Sequence, residues 1–186
     1  MAEIETADML LHVGDFAYDF DGNGGRRGDQ FMRNIEQVAA YVPYMVSHGN
    51  HEDSDANLAH YIERFRGMPS NAVPATVDTV AGRGVNTLWF SWDAGLVHYV
   101  ALDTEIWDSS RSQGNVSRAA MLTWLRADLE KAQANRAAVP WIVCHGHQSV
   151  YGNFDIVSKP FSLFLSPTQH HTCRVTLYLV PMLIGG

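Results

Sequence analysis

Met9-Leu10-Leu11-His12-Val13-Gly14-Asp15-Phe16-Ala17-Tyr18-Asp19-Phe20-Asp21 is the stretch from which the rest of the sequence is read. It opens as an apolar run over residues 9–13 and breaks at Gly14. An apolar run, then glycine, then an acid is the pattern of a buried strand ending in a tight loop. In α/β folds, ligands collect at the carboxyl ends of such strands. Asp15 and Tyr18 therefore stand where chemistry is usually done. A carboxylate and a phenolate are hard oxygen donors, suited to Fe(III) or to Mg-, Mn- or Zn-type ions. The same two residues also fit a plainer role, with Asp15 capping the loop and Tyr18 packing beneath it.

The pattern recurs twice. Residues 43–46 (Pro-Tyr-Met-Val) run into Ser47-His48-Gly49-Asn50-His51-Glu52, and residues 140–144 (Pro-Trp-Ile-Val-Cys) run into His145-Gly146-His147. Helical spacing separates these strands. Phe31, Ile35, Val38 and Ala39 form one apolar face, with Asp29 as the expected N-cap. Leu58, Tyr61, Ile62 and Phe65 form another, over residues 56–65. Met121, Trp124, Leu125 and Leu129 form the clearest, with Ser117 as N-cap and Lys131 and Arg136 favourably placed at its far end. Residues 88–92 and 97–102 read as a hairpin joined by Asp93-Ala94-Gly95. Residues 67–86 read as a long surface loop, and the pattern loses definition from Gly152 onward. The polar strand ends carry Asp15 and Tyr18, Asn50 and His51, and His145 and His147. Parallel strands are expected to bring them to one rim of a sheet.

With 186 residues, 46% hydrophobic and 18% charged, the chain is globular rather than disordered. A net charge of −7 offers no basic face for nucleic acid. Two cysteines make no disulfide framework, and nine histidines are many for this length. The first residues are acidic, so no signal peptide is expected in them. The longest apolar run near the end, residues 177–184, is too short for a bilayer, so no membrane partner is expected. The sequon Asn115-Val116-Ser117 would carry a glycan only in a secreted protein.

Gly14-Asp15-Phe16-Ala17-Tyr18, Gly49-Asn50-His51-Glu52 and residues 140–147 resemble, in order, the motif series of the purple acid phosphatases. These are calcineurin-like metallophosphoesterases, and the resemblance covers about residues 8–151. It implies an α/β fold, the four-layer α/β/β/α sandwich of the metallophosphoesterases, here incomplete. It also implies hydrolysis of phosphate monoesters by Fe(III) paired with Zn, Mn or Fe. Asp15 is implied to bridge the two metals and Tyr18 to bind Fe(III). Asn50 and His147 are implied to bind the divalent ion, and His51 to contact the phosphate or protonate the leaving alkoxide. His145 and His48 are read as structural. Members of the family are mostly secreted or vacuolar.

Two family motifs are absent: an Asp-x-Gly strand before Asp15, and a Gly-His-x-His loop after His147. The expectation is therefore a partial catalytic domain over residues 1–151, a tail over 152–186 that does not resemble the family, and impaired activity. A phosphodiesterase or nucleotide pyrophosphatase of the same superfamily is the alternative activity. A non-catalytic metal- or phosphate-binding remnant is the alternative of a different class.

Overall fold

In the computed structural model of the protein, residues 7–54, 58–69, 87–107 and 118–148 are described. In chain order they form β1 (Leu10–Val13), α1 (Arg26–Ala39), β2 (Tyr44–Ser47), a 3-10 turn (Asn50–Ser54) and α2 (Ala59–Arg64). There follow β3 (Phe90–Ala94), β4 (Val97–Ala101), a second 3-10 turn (Glu105–Trp107), α3 (Arg118–Ala134) and β5 (Trp141–His145). The expectations placed on Ser117, the sequon, most of the 67–86 loop and the 152–186 tail lie outside the described residues.

β1 and β2 pair in parallel, Leu10 opposite Tyr44 and Val13 opposite Ser47. Parallel neighbours need a crossover, which α1 supplies. Its Phe31 ring lies 5.9 Å from His12 and 5.7 Å from Phe16, so α1 covers this sheet. β4 pairs antiparallel with β3 and parallel with β5, with Ala101 opposite His145. α3 makes the second crossover and covers the second sheet, where Asp128 accepts from Ser91 Oγ at 2.7 Å. Val46, Tyr61, Val100, Met121, Leu125, Ile142 and Cys144 belong to one buried cluster that spans both sheets. Helix, sheet, sheet and helix are the layers of the metallophosphoesterase sandwich.

The three polar strand ends do not share one rim of one sheet. β1 and β2 form one sheet, and β5 belongs to the other. The crossover through α3 buries Met121, Leu125 and Leu129 in the same cluster as Val100 and Ile142, which places β5 beside β4 rather than beside β2. Local boundaries move as well. Helix α1 begins at Arg26 behind Gly25, whose φ is +87°, so Asp29 is not the cap. A turn from Asp21 to Gly25 starts the helix early, and Asp29 in its first turn pairs instead with Arg64 at 2.7 Å. α2 is shorter than its apolar spacing suggests and starts behind Leu58, whose φ is +57°. The hairpin turns at Gly95-Leu96, with positive φ at the glycine, as two-residue turns with glycine first require. Asp93 and Ala94 stay in the strand because Asp93 is held opposite His98.

His98 is the hinge of that hairpin. Its Nδ1 donates to Asp93 Oδ1 at 2.6 Å and its Nε2 donates to Asp128 Oδ2 at 2.9 Å. Both ring nitrogens can donate only in the imidazolium. The hydrogen bond to Asp128 is the main cause holding its pKa above the ordinary value, against burial, with Asp93 adding a smaller push. Asp128 outweighs Asp93 because it is 12% exposed against 51%, and water screens the outer pair. A raised histidine pKa gives stability that is complete below about 6.5 and is lost as pH rises through the folded value. Urea unfolding midpoints should therefore fall as pH rises above this range. His98→Gln should remove that part of the fall, and an unchanged slope would refute the clamp.

Candidate metal centre

Three glycine-bearing strand ends meet where the two sheets come together. Gly14 follows β1 with φ +84°, and a Cβ there would stand 2.6 Å from the Gly49 backbone and 2.7 Å from His147 Nδ1. A Cβ on Gly49 would stand 2.6 Å from Asp15 Oδ1. Neither position has room for a side chain, so the motif glycines are what let the three ends approach.

The approach is fixed by Glu52, which is buried. Its Oε2 accepts the backbone N–H groups of Asp15 and Gly49, both at 2.7 Å, and its Oε1 accepts that of Phe16 at 2.9 Å. One carboxylate thus ties the loop after β1 to the loop after β2. Burial pushes its pKa up, against the three backbone donors that hold it down. Asp15 itself has φ +57°, an uncommon conformation outside glycine, and the Glu52 bond helps hold it there.

Asp15, Asn50 and His147 come together in this cradle. His147 Nδ1 donates to the Val13 carbonyl at 2.8 Å, so the proton of a neutral ring sits on Nδ1. Nε2 then presents a lone pair. It faces Asn50 Oδ1 at 3.0 Å and Asp15 Oδ1 at 3.4 Å, both of them acceptors. Three lone-pair donors pointed at one another call for a cation between them. Donors bonded to one ion at about 2.1 Å stand roughly 3.0–3.4 Å apart at ordinary coordination angles. One nitrogen and two oxygens suit Zn, Mn or Fe(II). The set fits a single divalent ion. Among the described residues, no group of three or more His, Cys, Asp or Glu side chains could hold a metal, and here the third donor is an amide.

Tyr18 stands beside His51. Its side chain is 45% exposed, and its ring lies 4.6 Å from that of His51. His51 sits beside the cradle, with its backbone N–H donating to Asp15 Oδ1 at 3.2 Å and its Nδ1 donating to Asp19 Oδ1 at 3.0 Å. Asp19 and Glu52 carry no role in the sequence reading above. Asp19 stands four residues after Asp15, and Glu52 three after Gly49, and those spacings were the available signals. His145 is buried, and burial pushes its pKa down to about 4. It packs edge-on to Trp92 at 5.7 Å, apart from the Asp15 cradle. A cleft of about 450 Å³ lies elsewhere, between α3 and the hairpin, lined by Trp92, His98, Trp124, Asp128 and Lys131. None of Asp15, Asn50 or His147 lines it.

The family model for the calcineurin-like phosphoesterases matches residues 1–171. Acid phosphatase type 7 from Homo sapiens is 42% identical over 144 residues, covering 77% of this chain and 29% of that one. Its counterpart from Danio rerio is 39% identical over 155 residues, covering 82% of this chain and 32% of that one. The chain thus spans about a third of the length of these curated relatives. A purple acid phosphatase from yellow lupin seeds superposes with a TM-score of 0.49 at 25% identity, covering 79% of this chain and 24% of that one.

Glu52→Ala should be the most damaging single change in the cradle. It strips the acceptor from three backbone N–H groups, and each buried donor left unpaired costs about 1–3 kcal/mol. A loss of roughly 3 kcal/mol or more in urea unfolding is expected. Glu52→Gln keeps one acceptor oxygen and should fall between. Equal stability of the wild type and the alanine variant would remove Glu52 as the tie.

Proposed function

Since the chain belongs to the calcineurin-like phosphoesterases, in their purple acid phosphatase branch, we propose that its function is the hydrolysis of phosphate monoesters at a dinuclear metal centre, impaired in these 186 residues. The observation that carries this is the meeting of Asp15, Asn50 and His147 around the lone pair of His147 Nε2. These three would hold the divalent ion, Zn, Mn or Fe. Asp15 and Tyr18 would give the Fe(III) site its bridging carboxylate and its phenolate. When bound, such ions supply Lewis acidity and a hydroxide nucleophile near neutral or acid pH.

The remaining work falls to the chain. Val13 holds the His147 proton on Nδ1, so Nε2 stays a donor to metal without a change of tautomer. Glu52 keeps Asp15 and the Asn50 loop at their spacing. Asp19 orients the His51 ring, which would hand a proton to a leaving alkoxide. His51 is partly exposed, as a group that must meet substrate should be.

A second reading is a metal-binding remnant with little catalysis. It is favoured by the donor set, since among the described residues no group of three or more His, Cys, Asp or Glu could hold a metal ion. The two readings share one ion site and differ in turnover.

Equilibrium dialysis of the chain against Zn²⁺ or Mn²⁺ should give about one ion per molecule, held by three protein donors plus water. Iron should give no purple tyrosinate band, and p-nitrophenyl phosphate should be cleaved barely above background. Asp15→Ala should abolish ion binding, whereas His145→Ala should leave it intact. A chain that binds no divalent ion would end the metal-centre reading. A purple, fully active dinuclear preparation would show that the site is complete without further ligands.

A further inference from the structure

We propose that Asp103 and Glu105 are positioning residues, which set the spacing of Asn50 and His147 through a buried polar chain behind them; the inference rests on the metal-centre reading above. The segment after β4 lies between the two ligand loops. Leu102 N–H donates to the His145 carbonyl at 2.9 Å, extending the pairing of β4 with β5 by one step. Asp103 follows, fully buried. Its Oδ1 accepts the backbone N–H groups of Glu105 at 3.0 Å and Ile106 at 3.2 Å, which closes the chain into the second 3-10 turn. The same oxygen lies 3.4 Å from His48 Nε2, and neither side chain is exposed to water. His48 stands two residues before Asn50.

The other arm reaches His147. The Glu105 carboxylate, also buried, accepts Gln148 Nε2 at 2.9 Å on each oxygen. Gln148 N–H donates to Thr104 Oγ1 at 2.9 Å. Gln148 directly follows His147. Gly146, directly before it, runs so close to this segment that a Cβ would stand 2.5 Å from Thr104 Cγ2. Residues 103–105 therefore grip the chain next to His147 and, through His48, the chain next to Asn50.

Burying two carboxylates within three residues is costly, and such groups give little net stability over apolar packing. What they give is directional bonding, because Asp103 Oδ1 and both Glu105 oxygens accept from fixed donors. That is how groups beyond the ligands tune a metal site, and losing one commonly costs about 10–100-fold in affinity.

The test uses the whole 186-residue chain, with Zn²⁺ as the probe. Glu105→Ala and Gln148→Ala should each raise the Zn²⁺ dissociation constant at least about tenfold. Glu105→Gln keeps an acceptor oxygen for Gln148 and should stay within about threefold of the wild type, a split drawn from its hydrogen-bonding inventory. Urea unfolding of the metal-free variants shows whether each folds, and Gln148→Ala carries the test if Glu105→Ala does not. Hydrogen exchange read without metal should show faster exchange at residues 146–148 in Glu105→Ala and in Gln148→Ala, but not in Glu105→Gln. Equal weakening in Glu105→Gln and Glu105→Ala would mean that the charge acts directly on the ion, and would overturn positioning. Unchanged affinity in Gln148→Ala would overturn it too. If the wild type binds no Zn²⁺ while exchange responds as expected, the positioning stands and the metal-centre reading fails.

Discussion

One carboxylate holding three backbone N–H groups is the constraint from which the candidate centre follows. Glu52 collects the amides of Asp15, Phe16 and Gly49, and so carries the tie between β1 and β2 beyond the end of their ladder. A buried carboxylate is costly unless it is fully bonded, and three donors offset part of that cost. The glycines are the steric half of the same arrangement. Gly14 and Gly49 leave no room for a Cβ, so the bonds to Glu52 can form only with glycine at both positions. Asp15 in its left-handed conformation is then presented toward Asn50 and His147 rather than toward solvent.

The histidine completes the cradle from the second sheet. Because Val13 takes the Nδ1 proton, the ring enters the site with its orientation and tautomer already set. A ligand fixed in this way loses little rotamer freedom when an ion binds. The two sheets are thus connected at the point of function by a hydrogen bond as well as by the shared apolar core.

Much of this was legible in the sequence, and the parts that were not have physical causes. The apolar run closed by Gly14 and Asp15 announces a strand and its loop, and the repeats at Gly49 and Gly146 announce two more. Asp15, Asn50 and His147 do meet. Period and spacing cannot say which strand lies beside which, so one rim was expected where two sheets are found. Capping rules favour Asp29 over Gly25, but the glycine turn after Asp21 starts α1 first. Asp93 carries a turn-forming residue's signature, yet His98 across the ladder keeps it in the strand. Glu52 reaches Asp15 and Phe16, and Asp19 reaches His51, across more than thirty positions, which no local window shows.

That distance has a kinetic meaning. The bond from His147 to Val13 spans 134 positions, and the parallel pairs that flank it need α1 and α3 to be in place. Contacts between remote segments form slowly, because a large loop must close before they are rewarded. On a ribosome, β1 emerges long before the strand that supplies its third donor. A nascent chain that has passed Asn50 but not reached His147 has the carboxylate and the amide but lacks the imidazole. On the function proposed above, capture of an ion by all three would wait until His147 has been made and both sheets have closed.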